Sequence, residues 1–81
     1  MDINDIKDAL EAADYTVAEQ NEYSVTYRKH IVRDNSYNEA YLDFGLAKVE
    51  FDRYNVNDVL LAHDAFPITP ANARNILAHI R

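Results

Sequence analysis

The sequence predicts an α+β domain in which an antiparallel meander of three or four strands carries helices on one face. Apolar residues recur at helical spacing at both ends of the chain, and between the ends they alternate with polar residues as in half-buried strands. A length of 81 residues suffices for one domain only. We therefore expect residues 1–81 to form a single domain with one N-terminal helix, the meander and two C-terminal helices.

The first helix is predicted from a stripe of apolar residues that starts at Ile3, passes Ile6 and Leu10, and ends at Ala13. Asp2 precedes the stripe and is a preferred N-cap residue, because its carboxylate can accept from free backbone N–H groups. The acidic residues of this segment lie off the apolar stripe. This pattern predicts a helix from Ile3 to Ala13 with a charged outer surface.

The middle of the chain alternates apolar and polar residues as strands do. The predicted order is a strand Tyr15–Glu19, a turn at Gln20–Asn21, a strand Tyr23–Tyr27 that extends toward Ile31, a polar loop Arg33–Asn38, and a strand Ala40–Phe44. Gly45, the only glycine, follows and is expected to adopt a positive φ. The alternation in Ala47–Asp52 fits either a fourth strand or a bent continuation of the third.

Two helices are predicted after the strands. Asn57 resembles an N-cap, with an apolar residue on each side placed as a hydrophobic staple, and this predicts a short helix from Val59 to Ala65. Thr69–Pro70 is a cap followed by proline at the first helical position, which predicts the start of the last helix. Apolar residues from Ala73 to Ile80 give that helix its buried face.

The formal charge of −6 is located in the first third of the chain. Seven acidic residues lie between Met1 and Tyr27 against one base, Lys7, whereas seven acids balance seven bases from Arg28 onward. Such asymmetry produces a field of one sign that can steer a basic partner, although it also fits a solvated acidic helix. Direct binding to nucleic acid is disfavoured, because phosphate contacts need clustered basic residues.

The chain offers no recognisable catalytic set, and we expect neither an enzyme nor a cofactor. The three histidines have no paired spacing of the kind that metal sites use, so no metal is expected. His63 and Asp64 are adjacent in sequence and could form a local hydrogen-bonded pair. Because there is no cysteine, no basic leader and no membrane-length apolar run, we expect a cytoplasmic protein without disulfides.

Six tyrosines are an unusual surplus in a chain of this size. Tyr15, Tyr23 and Tyr27 fall where apolar residues should point inward, so we expect them in the core or at its edge. Tyr37 is expected in the polar loop. Tyr41 is expected on the same strand face as Asp43, opposite Leu42 and Phe44, and is a candidate for an exposed contact residue.

The opening Ile3-Asn4-Asp5-Ile6, the later Asp14-Tyr15-Thr16-Val17 and the order α-β-β-β-α-α resemble the short phage-encoded anti-CRISPR proteins that inhibit Cas9. The resemblance covers the first seventeen residues and the coarse layout. It implies an acidic DNA mimic that occupies the surface with which the nuclease reads its protospacer-adjacent motif, where arginines normally contact guanine edges. In that family the acids concentrate later in the chain, whereas this sequence ends free of acids from Ala65 onward.

Together these observations predict a non-enzymatic acidic inhibitor or decoy that binds a basic, nucleic-acid-processing protein. The predicted partner-binding residues are Asp5, Asp8, Glu11, Glu19, Glu22, Tyr37, Tyr41 and Asp43. We expect the acidic members to form one continuous outward-facing patch. The alternative is a structural module that forms a homodimer by pairing a sheet edge or the last helix with a second copy.

Overall fold

A five-stranded antiparallel sheet forms the body of the molecule, and two helices cover one of its sides. The computed structural model describes all residues from Met1 to Arg81. The elements are α1 (Ile3–Ala12), β1 (Thr16–Gln20), β2 (Ser24–Ile31), β3 (Ser36–Asp43), β4 (Lys48–Tyr54), β5 (Leu60–Pro67), a 3₁₀ turn (Pro70–Asn72) and α2 (Ala73–Ile80). The strands lie in sequence order, so β1 and β5 are the two edges. The α+β class is confirmed.

The predicted count of strands and helices is wrong at the C-terminal side. There are five strands rather than three or four, and one C-terminal α-helix rather than two, because β5 replaces the helix expected from Val59 to Ala65. The side chain of Asn55 accepts from the backbone N–H groups of Asn57 (2.9 Å) and Val59 (3.0 Å), and Asp58 has φ 62°. These contacts form a tight turn that returns the chain antiparallel to β4.

The N-terminal elements follow the prediction closely. Asp2 accepts from the N–H of Asp5, and the Asp5 side chain accepts from the N–H of Asp2, both at 2.9 Å. This reciprocal capping box fixes the start of α1. At the other end of the chain, Pro70 begins a 3₁₀ turn that leads directly into α2, so Thr69–Pro70 does mark a helical start.

The turn between β3 and β4 differs from the prediction. The chain has a positive φ at Ala47 (49°), not at Gly45. A Cβ added at Gly45 would meet only the Oδ1 atom of Asp43 at 3.5 Å, an ordinary contact. The residues on either side of this turn form separate strands that pair with each other, which excludes a single bent strand.

The core lies between the sheet and the two helices. It contains Ile6, Leu10, Tyr15, Val25, Tyr27, Ala40, Leu42, Val49, Phe51, Ile76 and Ile80. Tyr15 and Tyr27 are buried as predicted, but Tyr23 is 70% exposed, which contradicts its predicted place. Tyr23 lies in the β1–β2 turn, where its N–H donates to the side chain of Asn21. Neither helix is long and apolar enough to cross a membrane.

Candidate functional site

The side of the sheet that faces away from both helices is covered by no second layer, and we call it the open face. Its residues alternate with core residues along each strand, and the strand register aligns them in rows. The charged, histidine, tyrosine and threonine residues of the open face are Thr16, Glu19, Thr26, Arg28, His30, Tyr37, Glu39, Tyr41, Asp43, Lys48, Glu50, Asp52, Tyr54 and His63. It therefore carries five carboxylates and three tyrosines against one arginine and one lysine.

Two stacked tyrosines lie on the open face. The rings of Tyr37 and Tyr54 stack with centroids 5.0 Å apart, and the guanidinium of Arg28 lies 5.0 Å from the Tyr37 centroid. Glu39 accepts two hydrogen bonds from Arg28, at 3.0 and 2.5 Å. The Tyr37 hydroxyl donates to Asp58 at 2.8 Å, and this hydrogen bond raises the pKa of Tyr37. These contacts join the stacked tyrosines to β2 and to the β4–β5 turn.

Two of the three histidines, His63 and His79, contact carboxylates that are distant in sequence. His63 contacts the carboxylate of Asp52 on the open face, and this hydrogen bond raises the pKa of His63. Asp64 instead contacts His79 of α2, with 3.0 Å between its Oδ2 and the histidine Nε2. His63 and Asp64 do not pair with each other, because consecutive residues on a strand point to opposite sides of the sheet.

Ionic pairs within the chain are confined to its later part. The pairs are Arg28–Glu39, Lys48–Glu50 (3.7 Å), Arg53–Asp34 (3.5 Å), His63–Asp52 and His79–Asp64. None of the seven acids between Met1 and Tyr27 contacts a basic side chain, and all seven are exposed. The negative charge of the first third is therefore not neutralised within the molecule.

The predicted acidic residues of α1 lie on the helix side of the sheet. Asp5, Asp8 and Glu11 are exposed and follow one another at intervals of three residues, which places them near one another on the helix surface. Glu11 also accepts a hydrogen bond of 3.3 Å from the hydroxyl of Tyr27. Two of the three therefore have contacts of their own, Asp5 in the capping box and Glu11 with Tyr27.

The other predicted residues lie elsewhere. Glu19, Tyr37, Tyr41 and Asp43 belong to the open face, and Glu22 lies in the β1–β2 turn. The predicted acids thus divide between the two sides of the sheet, and the prediction that they form one continuous patch is wrong.

Two predicted residues have surroundings that the sequence did not indicate. Tyr37 lies in β3 and not in a loop, because the preceding turn is short: Asn35 takes a positive φ of 56° and Asp34 accepts from the N–H and hydroxyl of Ser36. Asp43 accepts from the N–H of Leu46 at 2.9 Å and so orders the β3–β4 turn. Tyr41 shares the open face with Asp43, in the predicted orientation.

Sequence reasoning missed several members of the open face. Glu50, Asp52 and Tyr54 extend it onto β4, and Glu39 pairs with Arg28 at its centre. The alternation of residues 48–54 places Glu50, Asp52 and Tyr54 on one strand face, and this signal could have identified them.

A cavity lies on the helix side of the sheet, and we call it the cleft. It has a volume of about 210 Å³ and is lined by Tyr15, Asn38, Phe51, Arg53, Asp64 and His79, among others. His79 stacks on Phe51 with centroids 5.2 Å apart. Burial raises the pKa of the Tyr15 hydroxyl, partly offset by a hydrogen bond from Asn38. No three His, Asp or Glu side chains converge as a metal site would require.

The fold and the open face define an α+β protein with an acidic, tyrosine-bearing sheet surface. Comparison with protein-family models, with curated proteins and with solved structures finds no match to this chain.

Proposed function

We propose that this chain is a non-enzymatic acidic binding protein that inhibits a basic, nucleic-acid-processing protein by occupying the surface that binds DNA or RNA. The observation that carries the proposal is the lack of any basic partner for the seven acids between Met1 and Tyr27. Exposed carboxylates of one sign raise the association rate with a positively charged surface. A partner's lysines and arginines supply the counter-charge that this chain does not.

The spacing of the acids on α1 supports mimicry of a phosphate backbone. Residues three apart on a helix are separated by roughly 4.5 Å along its axis. Phosphates on one DNA strand are separated by about 3.4 Å along theirs. Asp5, Asp8 and Glu11 therefore present charges at intervals comparable to those that a nucleic-acid-binding groove accepts. Tyr37 and Tyr41 lie on the other side of the sheet, so they would contact a partner only at a surface separate from the α1 contact.

Neutralising the acidic residues of α1 tests the proposal. The variant Asp5→Asn/Asp8→Asn/Glu11→Gln removes three negative charges from α1. The wild type and this variant are compared for inhibition of DNA binding by a panel of basic DNA-binding proteins that includes the Cas9–guide complex. We expect the wild type to compete with DNA for at least one member and the variant to lose most of that competition, because charge-assisted contacts contribute about 1.5–3 kcal/mol each.

A matched control separates local charge from net charge. The variant Asp34→Asn/Asp58→Asn/Asp64→Asn removes the same formal charge from residues that contact Arg53, Tyr37 and His79. We expect it to retain the competition. Equal loss in both triple variants would reduce the effect to net charge, and full competition by the α1 variant would overturn the role of α1.

Salt dependence gives a second readout on the same complex. Contacts between exposed charges are screened at high ionic strength, so the affinity should fall steeply as NaCl is raised. An affinity that stays constant across the salt series would contradict an electrostatic mechanism.

The edge of the sheet at β5 favours a second candidate function, self-association. Leu60 and Leu61 at the start of β5 are 50% and 56% exposed, and Val56 and Val59 in the preceding turn are 62% and 54% exposed. An edge strand with free backbone groups and exposed apolar side chains is a template for pairing with another strand. We propose that a second copy pairs along β5 if the chain forms a homodimer.

Sedimentation at two protein concentrations tests the second candidate. A concentration-dependent dimer that Leu61→Lys disrupts would support pairing at β5, because a charged side chain at an edge opposes strand addition. Val32→Lys, at a residue that is 81% exposed in the β2–β3 turn, is the matched control. A monomer at both concentrations would eliminate this candidate and leave the inhibitor proposal unaffected.

A further inference from the structure

The cleft contains a cation without a strong partner. The Nη2 atom of Arg53 lies 3.5 Å from the Oδ2 atom of Asp34, a long contact. Asp34 is already engaged with Ser36, whose N–H and hydroxyl donate to its Oδ1 at 3.0 and 2.5 Å, and these hydrogen bonds lower the pKa of Asp34. The Nε atom of Arg53 is buried and has no hydrogen-bond partner. A guanidinium has five N–H donors, so an acceptor is missing here.

The remaining charges of the cleft cancel each other. The Nδ1 atom of His79 lies 2.8 Å from the backbone oxygen of Asn75, and its Nε2 lies 3.0 Å from a carboxylate oxygen of Asp64. Both ring nitrogens face acceptors, so both must carry a proton for both hydrogen bonds to form. The resulting imidazolium offsets the charge of Asp64. Glu39 and Asp52 also line the cleft, and their carboxylates contact Arg28 and His63 respectively. Arg53, which has only the long contact with Asp34, is therefore the charged residue of the lining with the weakest counter-ion.

The aromatic side chains that line the cleft indicate which kind of ligand would fit beside Arg53. Phe51 and His79 form a stacked pair with an interplanar angle of 27°, and Tyr15 adds a second aromatic side chain to the lining. An inorganic oxyanion would satisfy the guanidinium but leave these rings uncovered. A flat apolar body that bears one carboxylate matches both parts of the lining.

We propose that the cleft binds a small organic carboxylate with a flat apolar body, whose carboxylate accepts from the guanidinium of Arg53. The cleft is lined mainly by residues of the helix side of the sheet, and Arg53 does not belong to the open face, so this site does not depend on the proposed inhibitor function. The chain as a whole has a charge of −6, which repels anions. Saturable uptake of a carboxylate must therefore come from a local site.

Benzoate, benzamide and benzamidinium are suitable probes because they have nearly the same shape and differ in charge. Each is titrated at constant ionic strength into the ¹⁵N-labelled protein, and the Nε–Hε resonance of Arg53 is followed by NMR. We expect a saturable shift with benzoate, binding roughly tenfold or more weaker with benzamide, and none with benzamidinium, because removing the ligand's charge weakens a charge-assisted hydrogen bond. Inorganic phosphate should bind more weakly than benzoate.

Variants locate the site. Arg53→Gln should abolish saturable binding of benzoate, and Arg53→Lys should retain weaker binding because it keeps the charge but not the planar donor pair. Arg74→Gln removes the same charge from an exposed position of α2 and should bind as the wild type does. A linear shift without saturation, equal binding of benzamide, or unchanged binding in a folded Arg53→Gln protein would overturn the proposal. If Arg53→Gln does not fold, Arg53→Lys and the three probes on the wild type decide it.

Discussion

Removing one charge from α1 should stabilise the protein. Asp8 lies three residues from Asp5 and three from Glu11, and none of the three contacts a basic side chain. Like charges at this spacing on a helix destabilise it by about 0.2–0.5 kcal/mol per pair. Asp8→Asn relieves two such pairs, so we expect a gain of about 0.4–1 kcal/mol at low ionic strength. For a domain of this size that corresponds to a rise in Tm of about 2–8 °C.

Glu39→Gln is the matched comparison, since it removes the same charge from a residue that has a partner. Glu39 accepts two hydrogen bonds from Arg28, and its side chain is 20% exposed. We expect a loss of up to about 1 kcal/mol, the range measured for ion pairs near the surface.

Urea denaturation of the wild type and the two variants, at low and at high NaCl, measures both effects. Because the repulsion around Asp8 is exposed to solvent, the gain in Asp8→Asn should shrink toward zero at high salt. A destabilised Asp8→Asn protein, or a gain that does not respond to salt, would mean that Asp8 has a favourable partner. The interpretation of α1 as an unneutralised charge cluster would then be refuted.

Three further predictions concern the β5 contacts, the β3–β4 turn and the core. The hydrogen-bond partners of His63 and His79 raise the pKa of both histidines in the folded protein. The stabilisation from these contacts is complete below the histidine pKa of about 6.5 in the unfolded chain and is lost as pH rises through the raised pKa values. The urea midpoint should therefore fall over that pH interval, and it should fall less in a His63→Gln/His79→Gln protein. Ala47→Gly should stabilise the protein by roughly 0.5–1 kcal/mol because Ala47 has a positive φ of 49°, whereas Gly45→Ala should be nearly neutral. Thermal unfolding of the two variants measures both effects, and a destabilised Ala47→Gly protein would contradict this reasoning. Leu10→Ala, at a fully buried residue, should lower the free energy of unfolding by about 3–5 kcal/mol in urea denaturation, a large part of the roughly 4–12 kcal/mol expected for 81 residues. Leu46→Ala, at a residue that is 73% exposed, should change it by less than about 0.5 kcal/mol. Similar losses in the two variants would place Leu10 outside the core.

The sequence predicted the elements whose signals are local. The start of α1 depends on Asp2 and Asp5, which lie within one turn of helix, and the alternation around Val25 and Leu42 depends on side-chain direction along single strands. For these elements the interactions that decide the structure involve residues that are close in sequence.

The helix predicted from Val59 to Ala65 is wrong because asparagine both caps helices and closes tight turns. Asn57 precedes an apolar run and can cap a helix, but the neighbouring Asn55 side chain binds two backbone N–H groups and closes a hairpin, after which β5 pairs with β4. Pairing with β4 is a tertiary contact, and periodicity within a short apolar run cannot reveal it. The same limit explains Tyr37, whose place in β3 follows from a turn made by Asp34 and Asn35.

The candidate site was predicted in part. Composition located the acidic excess, but it could not show which acids are neutralised, because the pairs join residues distant in sequence, such as Arg53 with Asp34 and His79 with Asp64. Nor could it show that Glu19 and the acids of α1 lie on opposite sides of the sheet. That division required the register of all five strands.

The position of α2 has a consequence for synthesis of the protein. Ile76 and Ile80 complete the core and are 0% and 3% exposed, yet they are translated after every strand of the sheet. Until Ile80 leaves the ribosome, the nascent chain presents an apolar sheet surface with only α1 to cover it. Chaperones that bind exposed apolar segments would therefore meet the sheet before α2 emerges, and stable folding of this domain must wait for that helix.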